Sequence, residues 1–432
     1  MRVRSQVGMA CLVLLQLSGC AWSLVEDGRI REGAFAEIVA RTAAARGDPR
    51  PEHVDVRVVS QDELPALLRE SVLHHRTPEE VARYQARLVA VGVWPPERDL
   101  VEDSLAVGRD EFAGFYVPES RVLYVVDGIR VPFTVRFVSA LLGRDLMREV
   151  VLSHEVVHLL QHRDEPELFD AIRWLDQDDA TGAVQAAFEG DAMRYGFAAV
   201  LADSGGSLPD PEELRRDLEA EVQAKEKGAL GEAPALLRLT LTLPYTRGYP
   251  LALTEGRKLL EDPPATTEQV LHADRRHAEF AVADLAPLES ALPAGCQSLG
   301  QNTLGELGIW VLFQDLGGAA VSEAASDGWD GDRYLAARCG DRFAFVWWTA
   351  WDSESDALEF ADAYAEIAAA VQDRVGFAAP PRVQRDGAHV VVASDPLALL
   401  VPLVDQRARR ARIATLAALR AHFGLAPDVQ PN

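Results

Sequence analysis

His154-Glu155-Val156-Val157-His158 sets two imidazoles four residues apart, with a carboxylate beside the first. On a helix, positions i and i+4 lie one above the other. Both rings can therefore reach one Zn²⁺ at about 2.0–2.1 Å while Glu155 meets a zinc-bound water. Leu146, Val150, Val151, Val157, Leu159 and Leu160 make the expected helix, about 145–161, apolar over most of its circumference. Burying three unpaired ionisable side chains there would be costly, so their presence calls for a cation. Catalytic zinc normally takes a third protein ligand. Glu189, 31 residues after His158 and set among Phe188, Gly190 and Ala192 on a second apolar helix expected at about 181–202, is the first candidate. Asp191, Asp170 and Glu165 compete with it. Gly190 inside a helix costs about 1 kcal/mol against Ala, which close approach to the metal helix would explain. Asp191 is also a candidate to hydrogen-bond a ligand His from behind and fix its tautomer. His162 reads as a surface or helix-end histidine.

These residues need elements to hold them. His53 to Val59 alternates apolar and polar side chains, the pattern of a half-buried strand. Thr77-Pro78-Glu79-Glu80 opens a helix to about Val93, which Pro95-Pro96 stops. Phe112–Val117 and Arg121–Val126, joined by Pro118-Glu119-Ser120, predict a β-hairpin. Ser204-Gly205-Gly206-Ser207 breaks the chain before a charged helix at 211–227, and helical segments continue to Val282. Pro287 to Gly300 is loop-rich and reads as a domain boundary. Beyond it, strands at 343–349 and 389–393 and an Ala-rich helix at 353–371 predict a small C-terminal α+β domain, 300–432. Trp329 to Tyr334 and Trp347 to Asp352 are dense in aromatic and acidic residues. Alternation of Phe343, Phe345 and Trp347 favours a core strand there over a ligand-recognition surface. The class is α+β, with a small mixed sheet, an active-site helix and a mostly helical second half.

Length and composition bound the rest. A chain of 432 residues exceeds one hydrophobic core, and 48% apolar with 25% charged residues is the composition of a globular protein. Its 43 basic against 67 acidic residues give a net charge of −24, which repels polyphosphate and excludes nucleic acid as the expected partner. Arg2 and Arg4, the apolar run Val7–Leu17 and Leu17-Ser18-Gly19-Cys20 form an export signal over 1–19 ending in a lipoprotein-type box. A lipid on Cys20 would hold the protein at a membrane of the bacterial cell envelope, outside the cytoplasm. Residues 20–50 read as a tether followed by a helix of uncertain extent. Cys296 and Cys339 remain, either as a disulfide suited to an oxidising compartment or as two separate buried thiols.

The five-residue motif and Glu189 resemble the gluzincins, zinc metallopeptidases with H-E-x-x-H on one helix and a Glu ligand on the next. Met193 stands where many of them carry an Asp, four residues after that Glu. Gly114-Phe115-Tyr116, His154 to Gln161, Phe188-Glu189-Gly190-Asp191-Ala192 and Pro263-Pro264-Ala265-Thr266-Thr267-Glu268-Gln269-Val270-Leu271-His272 further resemble an uncharacterised group of bacterial exported proteins with the same ordered motifs. The resemblance implies a zincin-like peptidase domain over 51–286, with zinc on His154, His158 and Glu189. It implies a peptide or protein substrate cut by water that Glu155 activates. Tyr245 and His272 are candidates to hold the oxyanion, each with a structural role as the alternative. The hairpin strand Arg121–Val126 would either pair with an extended substrate or be a covered core strand. The competing function is a catalytically inactive zincin-fold lipoprotein that binds or scaffolds. It would need the ligands but not Glu155.

Overall fold

The computed structural model describes residues 23–74, 76–128, 139, 142–171, 177–202, 205–224 and 228–424. The export signal and Cys20 lie outside the described residues. In chain order the elements used below are β1 (Val25–Glu26), β2 (Arg29–Ile30), α1 (Glu32–Arg46), β3 (Asp55–Val59), α2 (Pro78–Ala90), β4 (Gly114–Val117), β5 (Val122–Val126), α3 (Leu146–Asp164), α4 (Asp178–Leu201), α5 (Ala235–Glu255), β6 (Phe280–Asp284), β7 (Cys296–Asn302), α6 (Gly305–Leu316), β8 (Trp329–Cys339), β9 (Arg342–Trp351), α7 (Glu354–Val375), β10 (Arg382–Asp386), β11 (His389–Ala393) and β12 (Arg409–Ile413). The fold is α+β. Two compact units divide the chain, each discontinuous in sequence. The described residues up to 71, with 105–166 and 191–214, form the first; 72–104, 167–190 and 215 onward form the second. Helix α4 runs unbroken through the division at 190/191.

The first unit carries a three-stranded sheet in the order β3-β5-β4. Strand β5 is parallel to β3, from Asp55↔Val122 to Val59↔Val126, and antiparallel to β4, from Gly114↔Val125 to Val117↔Val122. All five residues of β5 are buried, as suits an unbroken Val-Leu-Tyr-Val-Val run covered on both faces. Both edges of β5 are paired, which decides between the two readings of Arg121–Val126 against substrate pairing. It is the core strand. Phe35, Ile38 and Val39 of α1 and Leu152, Val156 and Leu160 of α3 pack together with Leu123 and Val125. Residues 32–46, left uncertain by the sequence, are thus a helix in the core, closed by Gly47 at φ 80°. Asp145 caps α3 by accepting from the Arg148 N–H, and it also accepts the Leu24 N–H at 3.1 Å.

The second unit is organised on a five-stranded antiparallel sheet in the order β10-β11-β9-β8-β7. Trp347 and Trp351 of β9 and Phe313 of α6 pack on Phe360 of α7. The indole N–H groups of Trp329 and Trp347 donate to the buried Asp332 at 3.1 and 2.9 Å. The aromatic segments are therefore core, as the alternation predicts. Cys296 and Cys339 face each other across β7 and β8 and form a disulfide. On the chain-entropy model a bridge of this span stabilises by roughly 4 kcal/mol. Strand β7 begins inside the stretch read as a boundary, and β6 pairs with the distant β12, so 287–300 is interior to this unit. Helix α2 has a capping box between Thr77 and Glu80, and it ends ahead of Gly92, at φ 85°, rather than at Pro95-Pro96.

Helices α4 and α5 touch backbone to backbone. A methyl group on Gly190 would lie 2.1 Å from the Gly248 carbonyl oxygen, and one on Gly248 would lie 2.0 Å from that of Ala186. The glycine at 190 is thus explained by α5, and the expectation that it admits the metal helix is corrected. Gly190→Ala should destabilise the protein by about 3 kcal/mol or more, because the clash is with backbone and cannot be relieved by a rotamer change. Urea unfolding measures this, and a loss under about 1 kcal/mol would contradict the packing.

The Thr266-to-His272 motif forms a buried knot at the start of α4. Asp179 accepts hydrogen bonds from the Thr267 amide and hydroxyl, and the Gln269 side chain donates to the carbonyls of Ala278 and Ala414. Burial pushes the Asp179 carboxyl up to about 8; the Thr267 bonds oppose this, and the negative charges of Asp332 and Glu268 add to it. An unfolded Asp titrates near 4. Between about pH 4 and 8 the native chain therefore keeps a proton that the unfolded chain has released. This stability is fully present below the unfolded value and is lost as pH rises through about 8. Asp179→Asn should flatten that decline by up to about 1.4 kcal/mol per pH unit, read from urea midpoints between pH 5 and 8. An unchanged slope would mean that Asp179 is ionised in the native state.

Candidate metal centre

Helix α3 presents His154 and His158 one turn apart, with ring centroids 4.6 Å apart and planes at 85°. Their Nε2 atoms lie 3.0 Å from each other. Glu189 of α4 completes the group, and the ligand atoms of all three residues lie within 4.8 Å of one another. Two imidazole nitrogens and a carboxylate oxygen converging in this way match the donor set of a catalytic zinc site with one position left open. Glu165 ends α3 as its C-cap, and the Asp170 side chain lies outside the described residues.

The orientation of His158 is set from behind. Asp191, fully buried, accepts a hydrogen bond from the Gln161 amide nitrogen at 2.9 Å. That fixes which way the carboxamide points. Its oxygen then faces His158 Nδ1 at 2.8 Å, so Nδ1 carries the proton and donates, and the Nε2 lone pair is left for a metal. The same Asp191 oxygen accepts from Arg46 Nε at 3.2 Å, while Arg46 Nη1 reaches Asp48 at 2.5 Å and Asp164 at 3.0 Å. Burial would lower the Arg46 pKa, but the Asp191 and Asp48 carboxylates outweigh it and raise it above the usual value. The sequence expectation that Asp191 touches a ligand histidine is thus modified, because Gln161 stands between them.

Helix α4 comes close to α3 at Gly196, where an added methyl would lie 3.3 Å from His154 N and 3.4 Å from its Cα. On the other side, β4 passes α3 at Gly114, where a methyl would lie 2.7 Å from Val151 Cγ1 and 3.9 Å from Glu155 Cγ. Two glycines thus let α4 and β4, an edge strand among the described residues, flank the motif. Glu155 itself is only 8% exposed. Phe115 of β4 stacks on Tyr124, and Tyr116 lies 2.8 Å from His162 Nδ1. Burial pushes the Tyr116 phenol up to about 12, so it stays neutral. His162 is thus tied to β4 in the last turn of α3.

Of the residues read as oxyanion donors, Tyr245 is half-buried on α5, one turn before Gly248. His272 lies 2.7 Å from Glu306. That hydrogen bond raises the imidazole pKa above its ordinary value, against the effect of burial. Sequence reasoning missed Arg46, Gly196 and the orienting role of Gln161. Arg46-Gly47-Asp48 carries one local signal, a basic residue in the last turn of a helix before a left-handed Gly. The residues that Arg46 meets, at 164 and 191, are visible only in the fold.

Residues 293–404 match a family described as a domain of unknown function (DUF8575). The match lies within the second unit and does not include α3 or α4. No curated protein and no solved structure matches the chain.

Proposed function

We propose that this chain is a zinc-dependent peptidase with a zincin-like fold, held at a bacterial envelope membrane through a lipid on Cys20. The convergence of the ligand atoms of His154, His158 and Glu189 carries the reading. Bound zinc supplies a Lewis acid that acidifies water and polarises a carbonyl. Glu155 accepts a proton from the attacking water and delivers it to the leaving amine. An extended substrate pairs along β4, an edge strand among the described residues and the one beside Glu155. Tyr245 remains the candidate second donor to the oxyanion, since His272 is engaged by Glu306. A scaffold protein would need the three donors alone; a water-activating carboxylate buried next to them is what favours an enzyme.

Metal analysis of the full chain purified from detergent-solubilised membranes tests the reading. Close to one zinc per chain is expected, with none in His154→Ala. The intact mass of the same preparation reads the acyl groups on Cys20. A metal-free wild type that takes up no zinc on titration would sink the proposal.

A further inference from the structure

Wholly within the second unit lies a cleft of about 940 Å³, lined by residues of α5 and α6 and by His272. Its size is that of a site for a ligand of several residues. Leu239 and Leu243 of α5 and Leu307 and Trp310 of α6 form an apolar wall. Glu306, Trp310 and Gln314 follow one another at i, i+4 and i+8 and share one face of α6. Glu306 is 5% exposed; one of its carboxylate oxygens meets His272, and the other is buried without a hydrogen-bond partner among the described residues. The carboxamide oxygen of Gln314 is likewise buried and unpartnered among the described residues. Leaving such acceptors unmet costs about 1–3 kcal/mol each, and a ligand whose donors reach them relieves that cost.

The spacing and charge of these acceptors narrow the ligand. Eight residues of helix put them about 12 Å apart along the axis, roughly the length of four extended residues. Glu306 is already engaged by His272 at 2.7 Å, so a cationic ligand would have to compete with that imidazole. Neutral donors suit the site better. The leucines beside Trp310 offer little to a sugar's hydroxyl-rich faces but cover apolar side chains well.

We propose that this cleft is a second binding site, taking a short apolar polypeptide segment in extended form. Main-chain N–H groups of the segment donate to Glu306 and Gln314, and its side chains lie against Leu243 and Trp310. The inference does not depend on zinc binding. The test uses the full chain with a pool of acetylated, amidated pentapeptides of apolar residues, each carrying one photo-leucine, with cross-links located by mass spectrometry. Labels should concentrate at 239–247 and 306–314, equally with and without zinc. Labelling there should fall at least tenfold in Trp310→Ala, which leaves the His272–Glu306 pair in place, and in Glu306→Leu. Thermal unfolding of both variants verifies that they are folded. No labelling of the cleft by the pool, or labelling unchanged in folded Trp310→Ala, overturns the proposal. So does protection by chitopentaose but not by unlabelled peptides. Labelling that vanishes with zinc would place the peptides at the metal centre, which overturns this inference and leaves the hydrolase reading intact.

Discussion

Glu155→Gln should leave a folded, zinc-loaded protein whose hydrolysis of an unfolded substrate such as casein is lower by at least 10²–10⁴-fold. The replacement keeps the size and helix propensity of the side chain, and it leaves His154, His158 and Glu189 in place. What it removes is a carboxylate that can take and return a proton, and general acid–base assistance of this kind contributes about 10²–10⁴-fold. The position is buried and flanked by β4 at Gly114, so the neutral amide is easier to accommodate than the charge it replaces. Phenanthroline should abolish the wild-type activity to the same extent. Activity indifferent to both treatments would remove the zinc mechanism and leave the binding-lipoprotein reading. A panel of peptides beside casein guards against narrow specificity.

The second large effect separates ligand from support. Glu189→Ala removes one of three donors, and zinc should be lost on dialysis. Gln161→Met keeps the length of the side chain but interrupts the path from Asp191 to His158, so zinc affinity should weaken about 10- to 100-fold while the fold persists. Asp191→Ala is a poorer probe, because it withdraws a buried carboxylate from Arg46 and should cost about 3–5 kcal/mol of stability. Competition titration with a chromophoric chelator, run with thermal unfolding, distinguishes these outcomes. If Glu189→Ala retains zinc at wild-type affinity, another carboxylate is the third ligand.

The candidate site was legible where it was local. Imidazoles at i and i+4 on an apolar helix are one pattern read within five residues, and Glu189 stood out because Phe188, Gly190 and Ala192 gave it no solvent. The strands at 55–59, 114–117 and 122–126 followed from alternation and from the turn between the last two. Their order did not follow, because the placing of β5 between β3 and β4 depends on a parallel pairing across 60-odd intervening residues. Gly190 was noticed for the right reason and given the wrong neighbour. A glycine in a helix announces close approach, and only the fold says that the approaching backbone is Gly248. Arg46 was hidden more deeply. It sits in an Ala-rich stretch with no alternation, and its meaning comes from partners more than a hundred residues away.

The position of Leu24 sets the reach of the proposed enzyme. Its side chain is 4% exposed in the core of the first unit, and its N–H is held by Asp145, which caps α3. It is the fourth residue after Cys20, and four residues span at most about 14 Å even when fully extended. With an acyl group on Cys20, α3 would therefore be leashed to the bilayer surface instead of swinging on a thirty-residue cord. Its search is then two-dimensional. Polypeptides that are themselves anchored, or that pass close to the bilayer, would be in range of the proposed enzyme, and a substrate free in bulk solution would first have to come down to the membrane.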